Sequence, residues 1–148
     1  MRVLVDTSVW VDFFNGHPSL EAEALTRLIQ DEDEIVTCGV VVAEFMQGLR
    51  RPESITTLEP YFLDMPWLTP VEPETYLDAA TLYRGLRARG VTVRSTIDCL
   101  VARLAEREGA YLLAKDADLA RILASDLCGA EPVPTARRSG TTRLLSNA

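Results

Sequence analysis

The chain is poor in the residues on which most enzyme chemistry turns. It has one histidine, His17, in a polar Asn-Gly-His-Pro turn, so a Ser-His-Asp or Cys-His mechanism would have to run through a single loop residue. Its three cysteines, Cys38, Cys99 and Cys128, are odd in number and lack CxxC or Cys/His spacing. They point to neither a disulfide framework nor a zinc site and read as small core hydrophobes. No apolar run has the length of a membrane span or a signal-peptide core: Met1 and Arg2 lead straight into a short one that reaches Asp6. A cytoplasmic protein that touches no membrane is expected. Positive charge is scarce in sum, and a net charge of −7 argues against gripping nucleic acid through overall charge. Its distribution matters more, because every cation except Lys115 is an arginine and several of them cluster. Arg84, Arg87, Arg89 and Arg94 crowd one stretch, while Arg137, Arg138 and Arg143 lie in a tail with no acid after Glu131. Asp31, Glu32, Asp33 and Glu34 form the opposite patch, read as a solvated loop.

What remains is ordinary in bulk and specific in pattern. With 148 residues, 47% of them hydrophobic and 25% charged, the chain has the profile of one globular domain that buries roughly 70% of its unfolded surface. The β-branched run from Arg2 to Val5 predicts a buried strand, and Asp6-Thr7-Ser8 then offers N-cap chemistry for a helix carrying Trp10, Phe13 and Phe14. Ala24, Leu25, Leu28 and Ile29 predict a second helix, and Ile35 to Cys38 the next strand. Gly39 opens a helix in which Val41, Phe45, Gly48 and Leu49 share a face; Glu44, three residues after Val41, is expected on that face, where a glutamate is out of place. A helix begins at Pro52 and runs through Leu58 to Leu63, and Trp67 to Val71 is a short strand broken by Pro70 and Pro73. Glu74 to Arg89 is a long helix, and Ser95 with Asp98 three residues on resembles a capping box opening another that closes at Gly109. Ala110 to Ala114 is a strand, Ala117 to Leu123 a helix, and Glu131 to Val133 an edge strand. Alternating strands and helices predict an α/β domain over residues 1–134, its parallel sheet covered on both faces. Residues 135–148 are expected to form a basic, flexible tail.

Four acids stand in apolar surroundings far apart in the chain: Asp6 in VLVDTSVW, Glu44 in VVVAEFMQG, Asp98 in STIDCLVARLA and Asp116 in YLLAKDADL. Taken singly, Asp6 and Asp98 read equally as helix caps, Asp116 as a turn residue and Glu44 as a helix-edge glutamate. Taken together they need a common reason, because a buried carboxylate without a partner is costly. Ligands of parallel sheets bind outside the carboxyl ends of the strands. Asp6 follows the first strand directly and Asp116 follows Ala110 to Ala114 by one lysine, so both belong at that rim. Carboxylates about 4 Å apart repel by roughly 4 kcal/mol per pair at an effective dielectric of 20. A hard divalent cation relieves that repulsion.

These segments resemble the PIN-domain ribonucleases, and within them the VapC toxins of toxin-antitoxin pairs. The likeness rests on VLVDTSVWVDFF, VVVAEFMQGLR, TIDCLVARLAEREGA and LLAKDADL, in the family's order, over roughly residues 1 to 125. It implies a three-layer α/β/α fold with a central parallel sheet, a homodimer, and inhibition by a small VapB-like antitoxin whose tail fills the site. It also implies that Asp6, Glu44, Asp98 and Asp116 match the acidic quartet, with Ser8 at a hydroxyl position that supports the first aspartate. The last motif departs from the common Thr-x-Asp-x-Asp-Phe: Ala114 replaces the hydroxyl residue and Leu119 the aromatic. Asp116 is preferred as the fourth acid for its nearness to the strand end, and Asp118 is kept as a supporting or surface residue.

Oxygen ligands without histidine or cysteine favour Mg²⁺ or Mn²⁺ over zinc. The resemblance makes Asp6 and Asp98 the first choice for direct ligands, with Glu44 and Asp116 completing the charge. The chemistry it implies is hydrolysis of RNA, tRNA or rRNA in kind, by a water that the cation activates, leaving 5′-phosphate and 3′-hydroxyl ends. Because the acids repel the phosphates they must approach, Arg94 and Lys115 are candidate RNA contacts. A receiver domain would need an adjacent acidic pair after the first strand, and a haloacid-dehalogenase-like phosphatase an aspartate at position 8; Thr7 and Ser8 stand there instead. The remaining alternative is a catalytically weak PIN-like regulator or scaffold.

Overall fold

Three apolar residues with no exposed surface, Val3, Leu4 and Val5, make β1 (Arg2–Val5) the centre of the sheet. A strand buried on both faces reads as an unbroken hydrophobic run rather than an alternating one. The computed structural model describes residues 1–135. The expected basic tail lies, apart from Thr135, outside the described residues.

β1 pairs in parallel with β2 (Glu34–Cys38), Leu4 opposite Val36, and with β4 (Tyr111–Leu113), Leu4 opposite Leu112. β3 (Trp67–Leu68) adds to the far side of β2, which gives the order β3-β2-β1-β4. That order assigns the helices to faces. The steps from β1 to β2 and from β2 to β3 run in one direction, and right-handed crossovers therefore place their helices on one side of the sheet. These are α1 (Thr7–Asn15), α2 (Leu20–Gln30), α3 (Gly39–Gln47) and α4 (Pro52–Leu63). The step from β3 to β4 crosses back over the sheet, so α5 (Glu74–Ala88) and α6 (Thr96–Arg107) cover the other side. The final helix, α7 (Ala117–Ala124), packs on α6. The fold is thus the expected α/β sheet with helices on both faces. Among the described residues no helix is long and apolar enough to cross a membrane.

Two expected strands are shorter than their sequence implies. β3 stops at Leu68, just before Pro70. Glu131 to Val133 forms one parallel bridge, Leu112 with Pro132, held by the Leu112 amide on Glu131 at 2.9 Å and the Val133 amide on Leu112 at 3.0 Å. Pro132 has no amide hydrogen to extend a ladder.

Aromatic side chains lock the first helical layer. Trp10 of α1 stacks on Phe14 at 5.7 Å and meets Phe62 of α4 edge-on at 5.3 Å, while Phe45 of α3 lies 5.1 Å from Phe62. Thr7 Oγ1 donates to the Val41 carbonyl at 3.2 Å, pinning the start of α1 to the start of α3. Trp10 is fully buried, and its Nε1 has no hydrogen-bond partner among the described residues. Trp10→Ala is expected to cost about 3–5 kcal/mol, seen as a fall of roughly 10 °C in thermal unfolding. Trp10→Phe should cost less than half as much, because the indole N–H it removes bonds to nothing in the described fold.

Candidate active site

The strand order reverses between β1 and β4, and this is where an open α/β sheet leaves a crevice at the carboxyl ends of its strands. The two strand exits are bonded together. The Asp6 amide donates to the Leu113 carbonyl at 2.9 Å, one residue beyond the last β1 pair. Asp6 then caps α1 from extended backbone, its Oδ2 accepting from the Ser8 amide at 3.2 Å and the Ser8 hydroxyl at 2.7 Å. The same hydroxyl accepts from the Lys115 amide at 3.2 Å. Ser8 therefore fixes the Asp6 rotamer and ties it to the segment leaving β4. Burial pushes the Asp6 carboxyl above its ordinary range despite the two bonds from Ser8, and Asp116 adds repulsion.

Asp116 is the N-cap of α7, and its Oδ1 accepts from the Asp118 amide at 2.7 Å and the Leu119 amide at 3.1 Å. Asp98 lies in the first turn of α6. The expected capping box does not close: Ser95 Oγ caps the helix through the Ile97 amide at 3.0 Å, and the Asp98 carboxylate is among the other acids instead of returning to the cap. Its pKa is pushed up to about 7, first by burial and then by Asp116, Asp6, Asp118 and Glu44. A helix N-terminus favours a carboxylate by only about 0.3–1 kcal/mol, too little to offset desolvation and several neighbouring negative charges.

Glu44 is not where the sequence pattern placed it. Val41 and Phe45 face the core, but Glu44 is exposed, at the edge of the apolar stripe of α3 where it meets the rim. Partial desolvation, followed by repulsion from Asp6 and Asp116, still raises its pKa. Asp6, Glu44, Asp98 and Asp116 thus act on one another electrostatically.

Asp118 belongs to a different class. Only 3% exposed, it is not a surface residue. Its Oδ2 accepts from the Arg94 amide at 3.0 Å and from Arg94 Nε at 2.9 Å, and its Oδ1 from Arg121 Nη1. These bonds hold its carboxyl below the usual range. One oxygen from each of Asp98, Asp116 and Asp118 fits within 4.8 Å, a spacing compatible with a shared cation. Both Asp118 oxygens are already bound by guanidiniums, whereas Asp98 has no cation bound to it among the described residues; Asp6 is not part of this three-residue spacing. Arg94 reaches Asp116 only at 3.5 Å.

Lys115 turns its ammonium away from this group and onto Asp12 of α1 at 3.0 Å. That bond is the first cause of the lowered Asp12 pKa. Neither Asp12 nor Arg121 is singled out by the sequence pattern. A signal for Arg121 was available, since it follows Asp118 by three residues, the spacing at which side chains of a helix meet.

A family model described as the PIN domain matches residues 3–123. The chain is 38% identical over 117 residues to ribonuclease VapC11 of Mycobacterium tuberculosis, covering 78% of this chain and 87% of that protein. Among solved structures it resembles VapBC-1 from nontypeable Haemophilus influenzae, with a TM-score of 0.68, 18% identity, and coverage of 93% of this chain and 100% of that one. It also resembles VapC20 of Mycobacterium tuberculosis, a sarcin-ricin loop cleaving toxin, with a TM-score of 0.58, 17% identity, and coverage of 80% and 93%.

The raised pKa of Asp98 has a defined sign in stability. In metal-free protein the folded state holds this proton up to about pH 7, whereas an unfolded aspartate releases it near pH 4. The stability this contributes is present in full below about pH 4 and is lost as pH rises through about 7. Asp98→Asn removes that loss. Measured in EDTA, its melting temperature should gain on wild type between pH 4 and pH 8 by at least about 3 °C, the effect of roughly 1 kcal/mol in a domain of this size.

Proposed function

Because the chain belongs to the PIN-domain family, we propose that it is a metal-dependent endoribonuclease of the VapC type, acting as the toxin of a toxin-antitoxin pair. The observation that carries this reading is the set of acids gathered at one rim, three of which, Asp6, Glu44 and Asp98, have pKa values raised by desolvation and mutual repulsion. An array of this kind carries more negative charge than Arg94, 3.5 Å from Asp116, can offset, and its all-oxygen donors suit Mg²⁺ or Mn²⁺. Asp6, Asp98 and Asp116 would hold the ion, with Glu44 on the open flank. When bound, the cation supplies Lewis acidity and an activated water for in-line attack on a phosphoryl group.

The chain's own residues do the positioning. Ser8 holds Asp6 in one rotamer through its hydroxyl and amide. The backbone amides at the start of α7 hold one oxygen of Asp116, and the other lies 3.5 Å from Arg94 Nη2. Asp118 binds Arg94 beside these acids, where a guanidinium meets the anionic strand that the carboxylates repel. Lys115, by contrast, braces α1 through Asp12. An RNA substrate of the tRNA or rRNA kind, a VapB-like antitoxin, a homodimer and a cytoplasmic location complete the proposal; the relatives' descriptions as ribonuclease, VapBC and sarcin-ricin loop cleaving toxin support the first two.

Asp6→Asn and Asp98→Asn should each lower RNA cleavage by at least about 100-fold, the scale on which a positioned catalytic group contributes, while the far-UV circular dichroism spectrum stays that of wild type. EDTA should abolish cleavage, and added Mg²⁺ or Mn²⁺ should restore it. Expression without an antitoxin should arrest growth, and Asp98→Asn should relieve the arrest. Cleavage that survives both substitutions and the chelator would overturn the metal mechanism, whereas harmless expression without cleavage would leave the scaffold reading in its place.

A further inference from the structure

Beside the acidic rim, the loop from Gly90 to Arg94 and the outer face of α7 enclose an open cleft of about 970 Å³. Arg94 and Arg121 are its cations, Thr92 and Ser125 its hydroxyls, and among the described residues Asp118 is the only acid in its lining. We propose that this cleft is a backbone-phosphate subsite for the RNA strand, in which Arg94 and Arg121 contact a phosphate next to the one that is cut and Asp118 positions both guanidiniums. The inference rests on the ribonuclease reading above and extends it to where the strand lies.

Three observations converge on it. First, one buried carboxylate holds two arginines from opposite walls, Arg94 from the loop before α6 and Arg121 from α7, through both its oxygens. Second, the guanidiniums remain open, the Arg94 side chain 78% exposed and that of Arg121 53%. A guanidinium carries five N–H donors. Arg94 commits Nε to Asp118 and one Nη2 contact to Asp116, and Arg121 one Nη1 contact to Asp118, so most of the fork stays free for oxygens in the cleft. A pair of arginines whose only role was to close an ion pair would gain little from such exposure, since exposed ion pairs contribute about 0–1 kcal/mol. Third, the lining contains no aromatic residue, so the cleft offers nothing for a base to stack on. Its recognition is therefore of the phosphate, and it fixes the register of the strand without reading sequence.

Asp118 thus has a role of sign opposite to its charge. In a protein of net charge −7, removing an acid should strengthen RNA binding if charge alone mattered. If Asp118 holds the fork, removing it should weaken binding. The test is fluorescence anisotropy of a labelled single-stranded oligoribonucleotide in EDTA, where binding is read without turnover, over a salt series. Wild type is compared with Arg121→Gln, Asp118→Asn and the control Arg27→Gln on α2. Arg121→Gln changes an exposed position and should keep the fold; it should weaken binding several-fold at low salt and lower the slope of log affinity against log salt by about 0.7, one phosphate's worth on a single strand. Asp118→Asn should weaken binding as well, with thermal melting confirming that it is folded, and Arg27→Gln should change neither quantity. If wild type cuts RNA with Mg²⁺ but Arg121→Gln binds as tightly and with the same slope, or if wild type cuts RNA yet holds none in EDTA, the subsite is overturned and the ribonuclease reading stands. Tighter binding by folded Asp118→Asn removes the positioning role. A wild type that neither cuts nor binds RNA overturns the parent reading and the subsite together.

Discussion

The Asp6 amide donates to the Leu113 carbonyl at 2.9 Å, and this one bond sets where the exits of β1 and β4 lie relative to each other. It continues the parallel ladder one residue past the pairing of Val5 with Leu113, at the place where the strand order reverses. Everything polar at the rim is built outward from it. Ser8 spans the two exits by accepting from Lys115 and donating to Asp6, and α7 starts from Asp116, three residues after β4 ends. The apolar core makes the bond possible, because Val3, Leu4 and Val5 are all buried and a slip of β1 would draw Arg2 or Asp6 into their place.

The five acids near this point divide by what surrounds them. Asp118 has two arginines and a backbone amide and is ionised at low cost. Asp6, Asp98 and Glu44 have mainly one another, together with Asp116, and their pKa values rise. With a few kcal/mol of repulsion for each close pair, such an array is an arrangement the fold tolerates and does not gain from. That asymmetry sets Asp118 apart from the carboxylates with raised pKa values, and proximity alone does not: Asp118 satisfies the spacing of a cation site along with Asp98 and Asp116, yet its oxygens are already bound by arginines.

The elements were legible to different degrees, for physical reasons. β1, α1, α4 and α6 stand close to where the apolar patterning and cap residues put them, because capping and burial are local or nearly so. The strands at Trp67 and at Glu131 to Val133 were legible as apolar segments but not in length, since a strand extends only as far as a partner offers hydrogen bonds. Glu44 shows the limit of periodicity. Spacing from Val41 put it on the apolar face, whereas the rotation of α3 leaves it exposed at the rim, where its neighbours are acids from other elements.

The sequence by itself determined the kinds of chemistry open to this chain: one loop histidine, no paired cysteines, and acids set directly after buried strands and at helix starts, which together leave oxygen ligands and hard cations. It also determined the order of strands and helices, because each element's apolar period is written in its own residues. Only the tertiary structure decided which acid is held by cations and which is left mainly among other acids. Asp116 and Asp118 are two residues apart with the same side chain, and only nearness to the strand end and the spacing to Arg121 distinguish them locally. The difference in pairing comes from Arg94, 24 residues before Asp118, and from Arg121 one turn later: both bind Asp118, while Asp116 has only Arg94, at 3.5 Å. Charge pairing at the rim depends on distances of a few ångströms between segments remote in sequence, and folding alone sets those distances.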